Sequence, residues 1–209
     1  MADVTKPVLW STSESPPDVL PIGDATLRRW RLEDVPALHQ ASVESQAHLI
    51  PFMPWAVHIT AEDTTNAETY LAGTVAKWAD RTTFDYAIVD ADGAISGSCG
   101  LMGRIEPGSL EIGYWVHVDR TRRGLATRAA AALTEAGLAI ADVERVEIHH
   151  DSANTMSGRV PERLGYVRLR EQPADIPTAG GTGVHIVWGM SRDDWSSSAG
   201  AALLRGVRA

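Results

Sequence analysis

The residues with the clearest potential for chemistry lie between positions 111 and 129. An apolar stretch that ends at Val118 is followed by a short turn and then by small residues from Gly124 onward. This order predicts a strand, a tight turn and a helix with an open first turn. A helix N-terminus offers unpaired N–H groups and a partial positive charge, which suit a pyrophosphate. An ordinary strand-to-helix turn with solvated arginines is the alternative. The turn adds positive charge through Arg120, Arg122 and Arg123.

The elements that must position this segment alternate between strand and helix patterns. Asp92-Gly93 predicts a two-residue hairpin turn between two of the strands. The order indicates an antiparallel meander followed by a parallel crossover, and therefore a mixed sheet with helices packed on it. No G-x-G-x-x-G follows a strand, which argues against a dinucleotide-binding fold. The patterns predict strands at 25–30, 84–90, 94–104, 110–118, 143–150, 166–170 and 184–190, and helices at 32–45, 60–81, 124–140 and 154–164.

Length and composition predict one domain. The chain has 209 residues, 44% of them hydrophobic and 22% charged, which is ordinary for a globular protein. We expect a core at 25–195 and an extended arm at 1–24, where prolines are frequent. The tail at 196–209 either frays or docks as a short helix.

Charge and cysteine content limit the possible partners. The formal charge of -8 argues against nucleic acid and acidic lipid as partners, and no apolar stretch is long enough to span a bilayer. Cys99 is the only cysteine, so no intramolecular disulfide and no cysteine-based zinc site is expected. His149 and His150 are neighbours on a strand and point to opposite faces, which makes them a poor metal pair. We therefore expect a cytoplasmic protein without a metal.

Several segments in order resemble one enzyme family. Residues 121–126, T-R-R-G-L-A, resemble the Q/R-x-x-G-x-G/A pyrophosphate loop of the GNAT superfamily of acyl-CoA-dependent N-acyltransferases, with Thr121 where Gln or Arg is usual. The segments E-I-G-Y-W-V, N-T-M-S and E-R-L-G-Y resemble its ribosomal-protein N-terminal acetyltransferase (RimJ/RimL) branch. L-I-P-F-M-P-W-A and the opening strand and helix resemble that branch too. The resemblance covers roughly residues 25–190.

This resemblance implies a fold and a donor site. The fold is a mostly antiparallel sheet of about six or seven strands, splayed at the fourth and fifth and flanked by about four helices. The pantetheine arm of acetyl-CoA would pair with the backbone of Val116, His117 and Val118. Asn154 would bind the pantetheine or cap the following helix. The pyrophosphate would lie on Arg122, Arg123, Gly124, Leu125, Ala126 and Thr127.

The reaction implied by the resemblance is attack of an amine on a thioester, in which the amine loses a proton and the thiolate gains one. Glu111 is the candidate base, and His117 is the second candidate because imidazole titrates near neutral pH. A glutamate on an exposed face that pairs with an arginine is the alternative. Ser157 is the candidate acid or sulfur-holding group, unless it bonds back to its own helix. Pro161 removes the helical donor of the Ser157 carbonyl, which predicts a carbonyl available to water or ligand.

The acceptor site should be formed by the loop at 51–58 and the nearby helices, with apolar walls. The wall candidates are Trp30, Met53, Trp55 and Trp115, for which plain core packing is the alternative. The acceptor is expected to be a primary amine, on a protein N-terminus or on a small molecule. Three further readings stay open: succinyl-CoA or another acyl-CoA donor, a CoA-binding module without turnover, and a domain without a CoA site. A homodimer is possible.

Overall fold

A computed structural model describes residues 8–208. Its strands form one eight-stranded sheet in the order β1-β2-β3-β4-β5-β6-β8-β7. The middle strands contain runs of consecutive buried residues, which is the pattern of a sheet covered on both faces. The strands are β1 (Val19–Pro21), β2 (Ala25–Arg29), β3 (Thr83–Asp90), β4 (Ile95–Met102), β5 (Ser109–Val116), β6 (Arg145–Asp151), β7 (Val167–Pro173) and β8 (Val184–Ser191).

Helices cover both faces of this sheet. The helices α1 and α2 pack against β4 and β3 on one face, whereas α3 packs against β4, β5 and β6 and contacts α4 and α6. The opposite placement of α2 and α3 follows from the alternation of side chains along the strands. The helices are α1 (Val35–Leu49), α2 (Thr65–Ala79), α3 (Leu125–Ala139), α4 (Thr155–Leu164), α5 (Arg192–Trp195) and α6 (Ala199–Arg208), with short 3-10 turns at Leu32–Asp34, Pro54–His58 and Val118–Arg120.

The topology confirms the predicted mixed sheet. Strands β1 to β5 form an antiparallel meander, and β5 pairs in parallel with β6 across the crossover helix α3. The parallel register joins Ser109–Ile112 only to Arg145–Ile148. Both strands continue beyond this register, to Val116 and to Asp151. They therefore splay apart, as the resemblance implied, and a gap opens in the sheet after Ile112.

Small residues let α3 lie close to the sheet. The consecutive residues Ala129, Ala130, Ala131 and Ala132 are all fully buried, so this part of α3 is covered on every side, by the sheet and by α4 and α6. Alanine also has the highest helix propensity, so composition and packing favour the same structure. A second cluster lies under α1 and α2. It contains Trp30, Leu38, Ala67, Leu71 and Ala87.

The structure corrects several predicted boundaries. The helix expected from Thr60 begins at Thr65, because the Asp63 carboxylate accepts the Thr65 N–H at 2.8 Å and forms a local turn before it. The sheet has eight strands because β1, which is too short to show a periodicity, lies in the predicted arm and pairs with β2. The tail docks as α6, with Leu204 only 1% exposed. No helix in the described part of the chain is long and apolar enough to cross a membrane.

Candidate active site

The gap between β5 and β6 exposes unpaired strand edges. His117 N–H donates to the Ser96 carbonyl of the β4 side at 2.9 Å. Because main-chain groups of successive strand residues point to opposite edges, those of Tyr114 and Val116 point toward the gap. The gap thus offers a ladder of donors and acceptors to an extended, amide-bearing ligand.

A concave backbone loop follows the gap. Arg122 and Gly124 have φ values of 60° and 75°, in the left-handed region. Left-handed residues that alternate with other backbone conformations can direct N–H groups inward and form a nest for anions, and we refer to residues 122–124 as the nest. The first helical bond of α3 runs from the Arg128 N–H to the Gly124 carbonyl, so the preceding N–H groups have no partner within the helix. The predicted pyrophosphate residues are together in this loop, although the Leu125 side chain is buried in the core.

Hydrogen bonds at both ring nitrogens hold the side chain of His117 in place. Its Nε2 lies 2.8 Å from Glu44 Oε2, and its Nδ1 accepts the Asp119 N–H at 3.2 Å. Nε2 therefore carries the proton, which it donates to Glu44. The Val118 N–H donates to Ser45 Oγ. These contacts attach the turn to α1, and of the three predicted pantetheine residues only Val116 directs its backbone into the gap.

The start of α4 borders the gap, and its Ser157 hydroxyl lies beside the Tyr114 hydroxyl of β5. The Asn154 side chain caps α4 by accepting the Ser157 N–H at 3.1 Å. The Tyr114 hydroxyl lies 3.1 Å from both the carbonyl oxygen and Oγ of Ser157. The carbonyl freed by Pro161 is thus satisfied by Tyr114, which corrects the prediction that it serves water or ligand. Burial raises the pKa of Tyr114, so its hydroxyl stays protonated.

The sequence reasoning missed Tyr114. The sequence does contain one indication of its role. Tyr114 shares a strand face with Ile112 and Val116, and a phenol hydroxyl among apolar side chains needs a hydrogen-bond partner. The partner is distant in sequence, so the pattern of the strand alone could not identify it.

Glu111 lies at the point where the strands separate. It is 4% exposed, and Arg104 binds it in a bidentate manner, with Nε at 2.9 Å and Nη2 at 2.6 Å from the two carboxylate oxygens. Glu111 therefore does pair with an arginine, but the pair is buried and does not lie on an exposed face. The imidazole of His149 lies beside it, with Nδ1 3.6 Å from Glu111 Oε2. Glu111 also lines the large cavity described next.

A cavity of about 590 Å³ opens at the gap, and it is lined by residues of α1 and α2 on one side and of α4 on the other. Glu111, Tyr114, Ser157 and Asn154 line it, together with three of the four predicted wall residues. The rings of Trp55 and Trp115 are 5.9 Å apart and tilted by 56°. The predicted wall residues present there are Met53, Trp55 and Trp115.

Trp30 does not line the cavity, contrary to the prediction. Its side chain is 3% exposed, and the indole N–H donates to Ser98 Oγ at 3.2 Å. It packs with Leu38 and Leu71 beneath α1 and α2, which corrects the prediction. The core has room for this indole because its neighbours include small alanines.

The loop between β7 and β8 closes one side of the cavity. The Gly180 N–H donates to the Pro51 carbonyl at 2.9 Å, which joins this loop to the loop after α1. At its base, the Asp151 carboxylate accepts the N–H groups of Thr182 and Gly183 at 2.9 and 3.1 Å. The cavity therefore lies beneath a roof formed by two connected loops.

Comparison with known proteins identifies the family. The model of the acetyltransferase (GNAT) domain matches residues 24–167. Among solved structures, a RimL ribosomal L7/L12 α-N-protein acetyltransferase in complex with coenzyme A has 20% identity and a TM-score of 0.76, covering 83% of this chain and 97% of that one. RimJ of Mycobacterium smegmatis in complex with CoA-disulfide has 23% identity and a TM-score of 0.77, covering 93% and 95%.

A third solved structure widens the range of similar proteins. The microcin C7 self-immunity acetyltransferase MccE, in complex with acetyl-CoA and AMP, has 16% identity and a TM-score of 0.76, covering 84% of this chain and 97% of that one. No curated protein matched the chain. At these identities the solved structures establish the fold, whereas the family model covers well over half of the sequence. The chain belongs to the acetyltransferase (GNAT) family.

Proposed function

We propose that this acetyltransferase transfers the acetyl group of acetyl-CoA to the α-amine of a protein or peptide N-terminus. The observation that carries the proposal is the gap after Ile112, which has an anion-binding nest at one end and a carboxylate-lined cavity at the other. Ribosomal-protein N-terminal acetyltransferases of the same fold support this class of acceptor.

The residues of the gap fit the donor. The backbone of Tyr114 and Val116 would pair with the amides of the pantetheine arm, and the nest around Arg122 and Gly124 would hold the pyrophosphate. Asn154 lines the cavity at the start of α4, close to the reacting end. When bound, acetyl-CoA supplies the thioester. The protein would contribute position and proton transfer.

Two groups would carry out the proton transfers. Glu111 faces the cavity as a carboxylate and would hold the acceptor ammonium and accept its proton, directly or through water. Ser157 Oγ, beside the gap, would give a proton to the departing sulfur. Tyr114 would orient Ser157, since its hydroxyl contacts both oxygens of that residue.

The shape of the cavity favours a chain end over a side chain on a folded surface. The loops joined by Gly180 and Pro51 close one side, so a narrow, extended terminus would enter more easily than a wide surface. The aromatic wall of Trp55 and Trp115 would contact the residues that follow the amine.

A thermal-shift titration followed by an acceptor screen tests the proposal. Acetyl-CoA at 100 times its Kd should stabilise the protein by about 2.7 kcal/mol, which is a shift of several degrees in Tm. The same titration with succinyl-CoA and free CoA ranks the ligands by the Tm shift that each produces. Mass spectrometry of peptides with free or blocked N-termini then locates the acetyl group. A product acetylated on lysine or on a small amine only, or binding without turnover, would contradict the proposed acceptor.

Replacing Glu111 by glutamine should lower kcat by roughly 100-fold, because the acceptor loses its proton-accepting carboxylate. The Kd for acetyl-CoA, measured by calorimetry, should stay within about threefold. Glu106→Gln is the matched control, since Glu106 also pairs with an arginine, Arg145, but is exposed. An unchanged kcat for Glu111→Gln would remove Glu111 from the mechanism.

Replacing Ser157 by alanine should lower kcat by roughly 100-fold, and Tyr114→Phe should lower it by about tenfold. The double variant should be no slower than Ser157→Ala alone, because Tyr114 would act through Ser157. Steady-state rates of the four proteins measure this coupling. Tyr166→Phe controls for loss of a buried phenol, since Tyr166 contacts Thr134 within the core. Fully additive effects would mean that the two hydroxyl groups act independently.

A further inference from the structure

The imidazole of His149 lies between two carboxylates from neighbouring strands. Its side chain is 3% exposed, and Nε2 is 2.7 Å from Glu147 Oε2. Nδ1 is 3.6 Å from Glu111 Oε2, and it is buried without a hydrogen-bond partner among residues 8–208. Since Glu111 and Glu147 are register partners in β5 and β6, the sheet itself fixes this arrangement. His149 also lines the cavity.

The tautomer of a neutral His149 ring follows from Glu147. This side chain is fully buried and ion-paired with Arg145 and Arg170, so it is ionised and can only accept. The proton of a neutral ring must therefore be on Nε2. The lone pair is then on Nδ1, directed toward Glu111.

Glu111 alone is a weak proton acceptor. Arg104 donates to both of its oxygens, which stabilises the carboxylate and reduces its tendency to hold a proton. A proton that reaches Oε2 would have a second acceptor behind it in Nδ1 of a neutral imidazole. The distance of 3.6 Å is somewhat too long for a hydrogen bond, so a shift of less than 1 Å would connect the two groups.

We propose that His149 receives, by way of Glu111, the proton that the acceptor ammonium must lose; this inference rests on the proposed function. An N–H bond of the ammonium breaks, its electron pair stays on the amine nitrogen, and an Nδ1–H bond forms on His149. Glu111 ends as the carboxylate that it was at the start. The imidazolium lies between Glu147 and Glu111 and returns its proton to solvent after turnover. The second proton of the amine leaves toward the sulfur through Ser157, so the protons balance.

The test is His149→Gln, which preserves a donor to Glu147 but has no proton acceptor of comparable basicity. We expect kcat to fall by roughly 100-fold, with the Kd for acetyl-CoA unchanged. The pH profile of kcat should differ between the wild type and the variant, because only the wild type has an imidazole behind Glu111. The other charged groups around the ring, Glu111, Glu147, Arg104, Arg145 and Arg170, are present in both proteins. His48→Gln, at an exposed position of α1, should match the wild type in rate and pH profile.

A second measurement does not depend on turnover. In protein labelled with ¹⁵N-histidine, the signals missing from His149→Gln identify this ring. They should show a protonated Nε2 and an unprotonated Nδ1 at neutral pH. A proton on Nδ1 of the neutral ring, or a kcat of His149→Gln within threefold of wild type, would overturn the proposal. If the wild type itself shows no turnover, the proposed function is contradicted. The NMR measurement would still show which ring nitrogen of His149 carries the proton, so the two failures can be told apart.

Discussion

Glu147→Gln should lower the free energy of unfolding at pH 7 by about 3 kcal/mol. The Glu147 side chain is completely buried, and it accepts from Arg145 Nε at 2.9 Å and from His149 at 2.7 Å. Removing the charge leaves arginine and histidine donors around an uncharged amide. Breaking a buried ion pair from one side is among the most destabilising single changes.

The same residue gives stability a defined dependence on pH. Burial by itself would raise the pKa of Glu147, but the hydrogen bonds and charges of His149 and Arg170 bring it from 4.5 down to about 2. A pKa depressed in the folded state means that the stabilisation is complete above pH 4.5 and is lost as pH falls toward 2. The shift corresponds to about 3 kcal/mol.

Urea denaturation from pH 7 to pH 3 measures both effects. The variant should be less stable at pH 7 and should lose less stability on acidification than the wild type. Glu171→Gln is the control, because its pairing with Arg168 is exposed and should contribute less than about 1 kcal/mol. An acid dependence that is equally steep in Glu147→Gln would show that another carboxylate causes it.

Gly124→Val should weaken acetyl-CoA binding by about 100-fold or more. Gly124 has a φ of 75°, and an added Cβ would meet nothing within 4 Å, so the backbone conformation and not space requires glycine. A β-branched residue strongly disfavours this region, so the loop would rotate its N–H groups away from the nest. The loss of two hydrogen bonds to a charged group, at about 1.5–3 kcal/mol each, explains the size of the effect.

Calorimetric titration with acetyl-CoA measures this loss. Gly108→Val is the matched control, because Gly108 has a φ of 86° and its nearest neighbour to an added Cβ is at 3.8 Å, at the start of β5 away from the nest. It should suffer similar strain and retain its affinity. Equal affinity losses in the two variants would mean that strain spreads through the sheet and that the nest has no special role.

Local patterns were sufficient to predict most of the fold. The alternation along 110–118 correctly separated the face of Glu111 and Trp115 from the face of Ile112 and Tyr114, because side-chain direction in a strand depends only on position. The hairpin at Asp92-Gly93 is present, with Gly93 at a φ of 81°. Its loop has three residues, 91–93, and not the predicted two, because the Asp90 N–H donates to the Ala94 carbonyl. Features without periodicity, such as the three-residue strand β1, were beyond this kind of reasoning.

The environment of the candidate site could not be predicted in the same way. Glu111 meets Arg104 and His149, and Ser157 meets Tyr114, through pairings between strands and helices that are distant in sequence. A side chain's type and spacing indicate its face, but they do not indicate which partner occupies that face. For this reason the sequence was sufficient to identify Glu111 as a candidate base. The second candidate, His117, was chosen without knowledge that Glu44 binds its ring.

The short parallel register also has a mechanical consequence. Among the residues described, the strand ladder of the sheet forms two antiparallel units, β1 to β5 and β6 to β8, which pair with each other only where Ser109–Ile112 meets Arg145–Ile148. A small rotation about this seam would change the width of the gap without breaking a hydrogen bond inside either unit. A ligand that pairs with both edges would complete the interrupted ladder and fix the two units to each other. The donor would then serve as a missing strand of the sheet, and its binding would lock the geometry in which the acceptor is received.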